Sequence, residues 1–175
     1  MFSRILFLIV TTICANVTKA QNANPFFKLR YDKVVFYDFE SIGVKGAQIF
    51  DSKGHVLQKI IKQVDLKSQT VSTLNTRLGD RKSFGAGTAF CFDPHCGFVY
   101  FYKGKIVAQI LVCLECNRLS SNIDIPAQKQ GKQGSGIDAH YLAEGLSKSF
   151  RKYLNQLLIT HEFSHQIETG SDFDK

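Results

Sequence analysis

Four cysteines carry the most chemical promise in this sequence: Cys91, Cys96, Cys113 and Cys116, spaced Cys-x4-Cys, sixteen residues, then Cys-x2-Cys. Zn²⁺ takes soft thiolates in a tetrahedron, and proteins often offer them as two short loops brought together by strands. Cys113-Leu-Glu-Cys116 is one such half-site. Cys91-Phe-Asp-Pro-His-Cys96 is a longer half, in which Pro94 and Gly97 help the chain turn around an ion and His95 could replace a sulfur. An even cysteine count in an exported chain equally suits disulfides, and four cysteines allow three pairings. Redox exchange at Cys-x2-Cys ranks below both. Such a motif usually opens a helix, whose N-terminus lowers the attacking thiol's pKa, and residues 117–122 do not read as a helix start.

A second motif lies near the C-terminus. His161-Glu-Phe-Ser-His165 fits His-Glu-x-x-His. On a helix, two His four apart can hold Zn²⁺ while Glu162 activates a bound water, the arrangement of a zinc metallopeptidase. A third ligand must come from elsewhere, and the ten residues after His165 contain no His. Glu168 and Asp172 are the remaining candidates. The motif also falls where the preceding helix should end. The simpler expectation is that the two His complement the helix dipole. His55 and His140 stand alone and read as surface or turn residues.

The cysteines need a frame to bring them together. Residues 98–102 and 106–112 are strong strand runs around Lys103-Gly104-Lys105, which predicts a hairpin. With Gly104 and Lys105 as the turn residues, Cys96 falls opposite Cys113, and all four sulfurs gather at the open end.

Other elements surround this hairpin. Residues 21–30 are a lead-in segment, and residues 33–39 form a β-branched and aromatic strand. Residues 47–50 and 55–60 flank the turn-forming Asp51-Ser-Lys-Gly54, as in a second hairpin. Leu66, Val71, Leu74 and Leu78 share one helix face over about 67–78, with Gly79 as its stop. Gly85-Ala-Gly87 opens the cysteine region. Residues 123–125 predict a short strand ended by Pro126. Residues 128–136 are polar and glycine-rich and read as a loop. Asp138 is a candidate cap for a last helix to about Ile159, with Leu142, Leu146, Phe150, Leu154, Leu157 and Leu158 as its apolar stripe. Lys148, Arg151 and Lys152 fall mostly off that stripe and read as a solvated face.

The N-terminus is a processing signal. Arg4 precedes an apolar core from Ile5 to Val10, and Thr18-Lys19-Ala20 provides a small-residue cleavage site. That core is too short to cross a bilayer, which takes about 20 apolar residues. Cys14 follows Ile13, where lipid modification wants a small residue, so a lipoprotein reading is weaker. Removing residues 1–20 of the 175 leaves 155, one domain of ordinary size. The net charge of +7 becomes +5 once Arg4 and Lys19 are lost. No basic tract accompanies that small surplus, so no nucleic-acid partner is expected, and the mature part carries no transmembrane segment.

The run from Cys91 to Tyr102, then Lys105-Ile-Val-Ala, then Cys113-Leu-Glu-Cys-Asn117, resembles a group of uncharacterised exported bacterial proteins. Their pattern is Cys-x-x-Pro-x-His-Gly, a hairpin, then Cys-Phe-x-Cys. The resemblance covers about a sixth of the chain closely and brings no activity with it. It implies a metal site, because His in the place of Cys96 keeps a ligand but cannot form a disulfide. Cys96 itself departs from the pattern and leaves a cross-strand disulfide open.

The expectation is therefore an exported α+β domain over residues 21–175, periplasmic or secreted. An antiparallel sheet of four to six strands carries an amphipathic C-terminal helix on one face and a cysteine-bearing hairpin. It reads as non-catalytic, with a site of Cys91, Cys96, Cys113 and Cys116 that holds Zn²⁺ or forms disulfides. The alternatives are a zinc metallopeptidase using His161, Glu162 and His165, and a thiol–disulfide redox protein. No residue names a partner.

Overall fold

Asn24 caps a four-residue helix, α1 (Pro25–Lys28), by accepting the Phe26 N–H at 3.0 Å, and Pro25 brings a φ already suited to a first helical turn. The structure is a computed structural model that describes residues 24–42, 48–89, 91–133, 140–167 and 173. Residues 1–20, where a signal sequence is expected, and Asp138, Glu168 and Asp172 lie outside them.

Strand β1 (Lys33–Glu40) is buried at its six inner positions, as an interior strand must be. It pairs antiparallel with β2 (Lys59–Asp65), which alternates exposed and half-buried as an edge strand does. Helix α2 (Ser68–Gly79) buries Val71, Leu74 and Leu78 as the spacing predicts. Gly79, however, does not end it through a left-handed turn. A Cβ there would run into the Asn24 side chain, which sits close to donate to the Asn75 carbonyl at 2.7 Å.

Strand β3 (Phe84–Ala86) precedes the cysteine hairpin of β4 (Cys96–Tyr102) and β5 (Lys105–Cys113), and β6 (Arg118–Ser121) follows. Together β2-β1-β4-β5-β6 make a five-stranded antiparallel sheet. Two small pairs flank it: β7 (Lys129–Gln133) with β8 (His140–Ala143), and β3 with β9 (Gly145–Leu146). Helix α3 (Lys148–Thr160) completes the domain.

One sheet face packs under both long helices. Phe36, Phe98, Tyr100 and Ile110 meet Leu74, Leu78, Phe150, Leu154 and Leu158 there. Phe36 and Phe98 stack at 4.4 Å. The opposite face has a smaller core of Val35, Tyr37, Phe39, Val99 and Leu111, covered by Ile49. The α+β architecture with its cysteine hairpin is as the sequence predicts.

Several expected elements differ. The Asp51–Gly54 turn is present, tied by two bonds at 2.8 Å from the Lys53 and His55 N–H groups to the Asp51 carboxylate. Its arms make only an isolated Phe50–Val56 bridge, and the strand proper starts at Lys59. The predicted strand at 123–125 lies upstream as β6, because the tight 114–117 connection returns the chain into the sheet at Arg118. Residues 129–133 are a strand, not a loop, since backbone pairing needs no apolar alternation. Helix α3 begins only at Lys148, with Ser147 as its cap, so Leu142 and Leu146 lie in β8 and β9. Arg151 belongs to the interior at 1 % exposure.

Candidate functional site at the base of the hairpin

The β4–β5 connection is the two-residue turn Lys103-Gly104, with φ of 49° and 73°. Positive φ at both positions matches the twist of the flanking strands. Tyr102 pairs with Lys105, and a bulge between Tyr100 and Phe101 then shifts the ladder by one residue. Cys96 therefore faces Val112, not Cys113 as the predicted register had it. On its other side Cys96 faces Asp38 of β1. A row of Asp38, Cys96 and Val112 thus crosses the sheet end, and directly paired residues have Cβ atoms about 5 Å apart.

The four sulfurs do gather at this end, and they divide unequally. Cys91 and Cys116 form a disulfide with Cα atoms 5.9 Å apart. Cys96 and Cys113 are buried thiols. A set of four thiolates is therefore not what this structure forms. Among the described residues, no group of three or more His, Cys, Asp or Glu is arranged to hold a metal ion. The Cys96 thiol lies 3.7 Å from the Val112 carbonyl. Burial, then the Asp38 carboxylate and Cys113, push its pKa up. Cys113 is also pushed up by burial, opposed by N–H groups of Cys116 and Asp93 directed at its sulfur. The Cys116 N–H lies 3.2 Å from the Cys113 Sγ.

The Cys113–Cys116 turn is held from outside. The Arg151 guanidinium, reaching from α3, donates to the Leu114 carbonyl. Asn117 is fully buried with φ of 52°, a conformation Asn tolerates better than most residues. Its amide donates to the carbonyls of Gly87 at 2.9 Å and Leu146 at 3.0 Å, which ties the turn to β9 and to the chain before Cys91.

A second cluster adjoins the thiols. Asp38 is completely buried, and its carboxylate accepts from the Ser164 N–H and Oγ, both at 2.6 Å. Its other oxygen lies 2.7 Å from His165 Nδ1. Burial pushes the Asp38 carboxyl up, but these bonds outweigh it and hold the pKa below the usual carboxylate range. The His165 ring stacks on that of His95 at 4.2 Å. His95 Nδ1 is buried with no hydrogen-bond partner. A cavity of about 20 Å³, enough for a single water, joins the two clusters, with Asp93, His95, Cys96, Cys113 and His165 in its wall.

The His-Glu-x-x-His segment does not form the helical face that a zinc peptidase requires. Helix α3 stops at Thr160, and Glu162 turns the chain with φ of 52°. The Glu162 carboxylate is at the surface, 3.7 Å from Lys62 Nζ. His161 rests edge-on to Phe36, and burial, then Lys62 and Lys67, lower its pKa. His165, expected to act only on the helix dipole, instead pairs with Asp38.

No protein-family model matches this chain, and the comparisons with curated proteins and with solved structures found no match. The site therefore stands on its own geometry. Asp38, Ser164 and Arg151 are the residues that the sequence did not single out. The one signal for Asp38 is an acidic residue set between Tyr37 and Phe39 in a strand otherwise buried.

Proposed function

We propose that this chain is an exported protein whose working part is a thiol–disulfide centre at the base of a β-hairpin. One observation carries this reading. Cys113 is a thiol whose sulfur faces the N–H of Cys116, and the sulfur of Cys116 is bridged to Cys91. A thiol and a disulfide within one turn are the reactants of exchange chemistry. The Cys-x2-Cys here closes a strand-to-strand turn instead of opening a helix, and the Cys116 and Asp93 N–H groups favour the Cys113 thiolate without outweighing its burial. Export is supported by the N-terminal signal pattern and suits a bridge that persists outside the reducing cytosol.

The first test is intact mass of the mature protein, isolated from its own compartment, denatured and alkylated without reductant. The expected result is two alkyl groups, on Cys96 and Cys113. Four would mean that Cys91 and Cys116 are thiols as well. The reading would then give way to a metal site, with Zn²⁺ as the ion to assay in the same sample. No alkyl groups would mean two disulfides and an inert staple.

A further inference from the structure

We propose that Cys113 attacks Cys116 and releases Cys91 as a surface thiol that reacts with disulfides of other exported proteins. This inference rests on the bridge proposed above and names the reactive sulfur and its substrate class.

The three sulfurs differ in placement. Cys116 is 1 % exposed and Cys113 2 %, whereas Cys91 is exposed. An outside reactant thus meets Cys91 first, while Cys116 is approached from within the protein. Cys113 ends β5, and Arg151 and Asn117 fix the turn that follows it. Cys91 precedes β4 on a stretch, 91–95, that belongs to no strand or helix. Breaking the bridge therefore frees the exposed sulfur, on a segment held by the Ala89 N–H to the Cys116 carbonyl and the Phe39 N–H to the His95 carbonyl, and keeps the two buried ones in place. The Cys113 sulfur already lies 3.2 Å from the Cys116 backbone nitrogen, which places it beside the residue it would bridge. Cys96 is the poorer attacker. Its thiol points along its own sheet row to the Val112 carbonyl, not into the turn.

The chemistry balances without an added oxidant. The Cys113 thiol gives its proton to the His165 imidazole, which lines the same cavity. The thiolate forms a bond to the Cys116 sulfur as the Cys91–Cys116 bond breaks, and the electron pair leaves on Cys91. Cys91 thiolate then attacks a disulfide of the substrate protein, forming a mixed disulfide and expelling one substrate thiolate. Attack by another substrate thiolate on that mixed disulfide returns Cys91. The substrate leaves with rearranged bridges and no net change of oxidation state.

Iodoacetamide trapping of the folded protein, quenched in acid and mapped by proteolysis, tests this. Wild type should carry the label on Cys91 together with a Cys113–Cys116 bridge. Glutathione disulfide in place of iodoacetamide should leave one glutathione on Cys91. Cys96→Ser should behave like wild type, and Cys113→Ser should lose the Cys91 label and keep the original bridge. If Cys113→Ser does not fold, the wild-type map decides alone. An unlabelled Cys91 with the Cys91–Cys116 bridge intact would overturn the exchange. So would a Cys113→Ser protein that labels Cys91 as fast as wild type. A denatured protein with four thiols would remove the bridge itself, which separates failure of the underlying reading from failure of this inference.

Discussion

Replacing Asp38 by alanine should destabilise the protein by about 3 kcal/mol, seen as a lower urea midpoint with little change in slope. The carboxylate is fully buried and accepts from three donors on Ser164 and His165. Hydrogen bonds to a charged group contribute about 1.5–3 kcal/mol each, and donors left without an acceptor add a desolvation penalty. His165→Ala should be comparably harmful, because it strands a buried charge on fewer partners. The same network sets an acid response. The Asp38 pKa is lower in the folded state than in the unfolded one. Its stabilisation is therefore complete above the ordinary carboxylate pKa, near 4, and is lost as pH falls from there through the folded value. Asp38→Asn should flatten that part of the stability-versus-pH curve. An alanine variant within about 0.5 kcal/mol of wild type, in the range of an ordinary surface substitution, would show that this network does not hold the C-terminal segment to the sheet.

Arg151→Ala should lower stability by about 3–5 kcal/mol. The side chain is almost fully buried on α3, and its guanidinium satisfies the Leu114 carbonyl. Alanine would leave that carbonyl with the Asn117 N–H, at 3.2 Å, as its remaining donor among the described residues, and open a cavity where the long stem packs. Arg151→Lys should recover part of the loss, since an ammonium keeps the charge but not the planar fork. There is also a local readout. Leu114 lies between the two cysteines of the Cys113–Cys116 turn, so loosening it should speed alkylation of Cys113 in the folded protein. If Cys113 reacts no faster in Arg151→Ala, the guanidinium stabilises the helix without positioning the turn.

The frame around the site was legible because it follows from residue type in the strands and from spacing in the helix. The β-branched and aromatic runs of β4 and β5 around Lys103-Gly104 and the apolar face of α2 mark those elements in any context. The register was not legible. Whether Lys103-Gly104 or Gly104-Lys105 turns the chain depends on which residues take positive φ, and no residue type announces the bulge at Tyr100 and Phe101. The turn alone would set Cys96 against Leu111 and the bulge moves it to Val112, so the two together leave it one residue short of Cys113. Arg151 looked solvated because helical spacing reports its own face alone, while its partner carbonyl is 37 residues away. The pairing of β7 with β8 was hidden for the opposite reason, since backbone hydrogen bonds leave no apolar signature in a Gln- and Gly-rich stretch. His165 could be seen only as half of a motif, and Asp38, the residue it binds, is 127 positions earlier.

That last separation bears on when the protein can fold. A chain is made from its N-terminus, and the interior strand β1 finds its neighbour β4 only after some sixty further residues. Asp38 waits longer still, until Ser164 and His165 have been synthesised. Beyond the local pairing of β1 with β2, such distant pairs are slow to close because their loop entropy must be lost first. Until residues 164 and 165 join it, the buried carboxylate of β1 has none of the three donors that hold it, and that end of the sheet cannot be sealed.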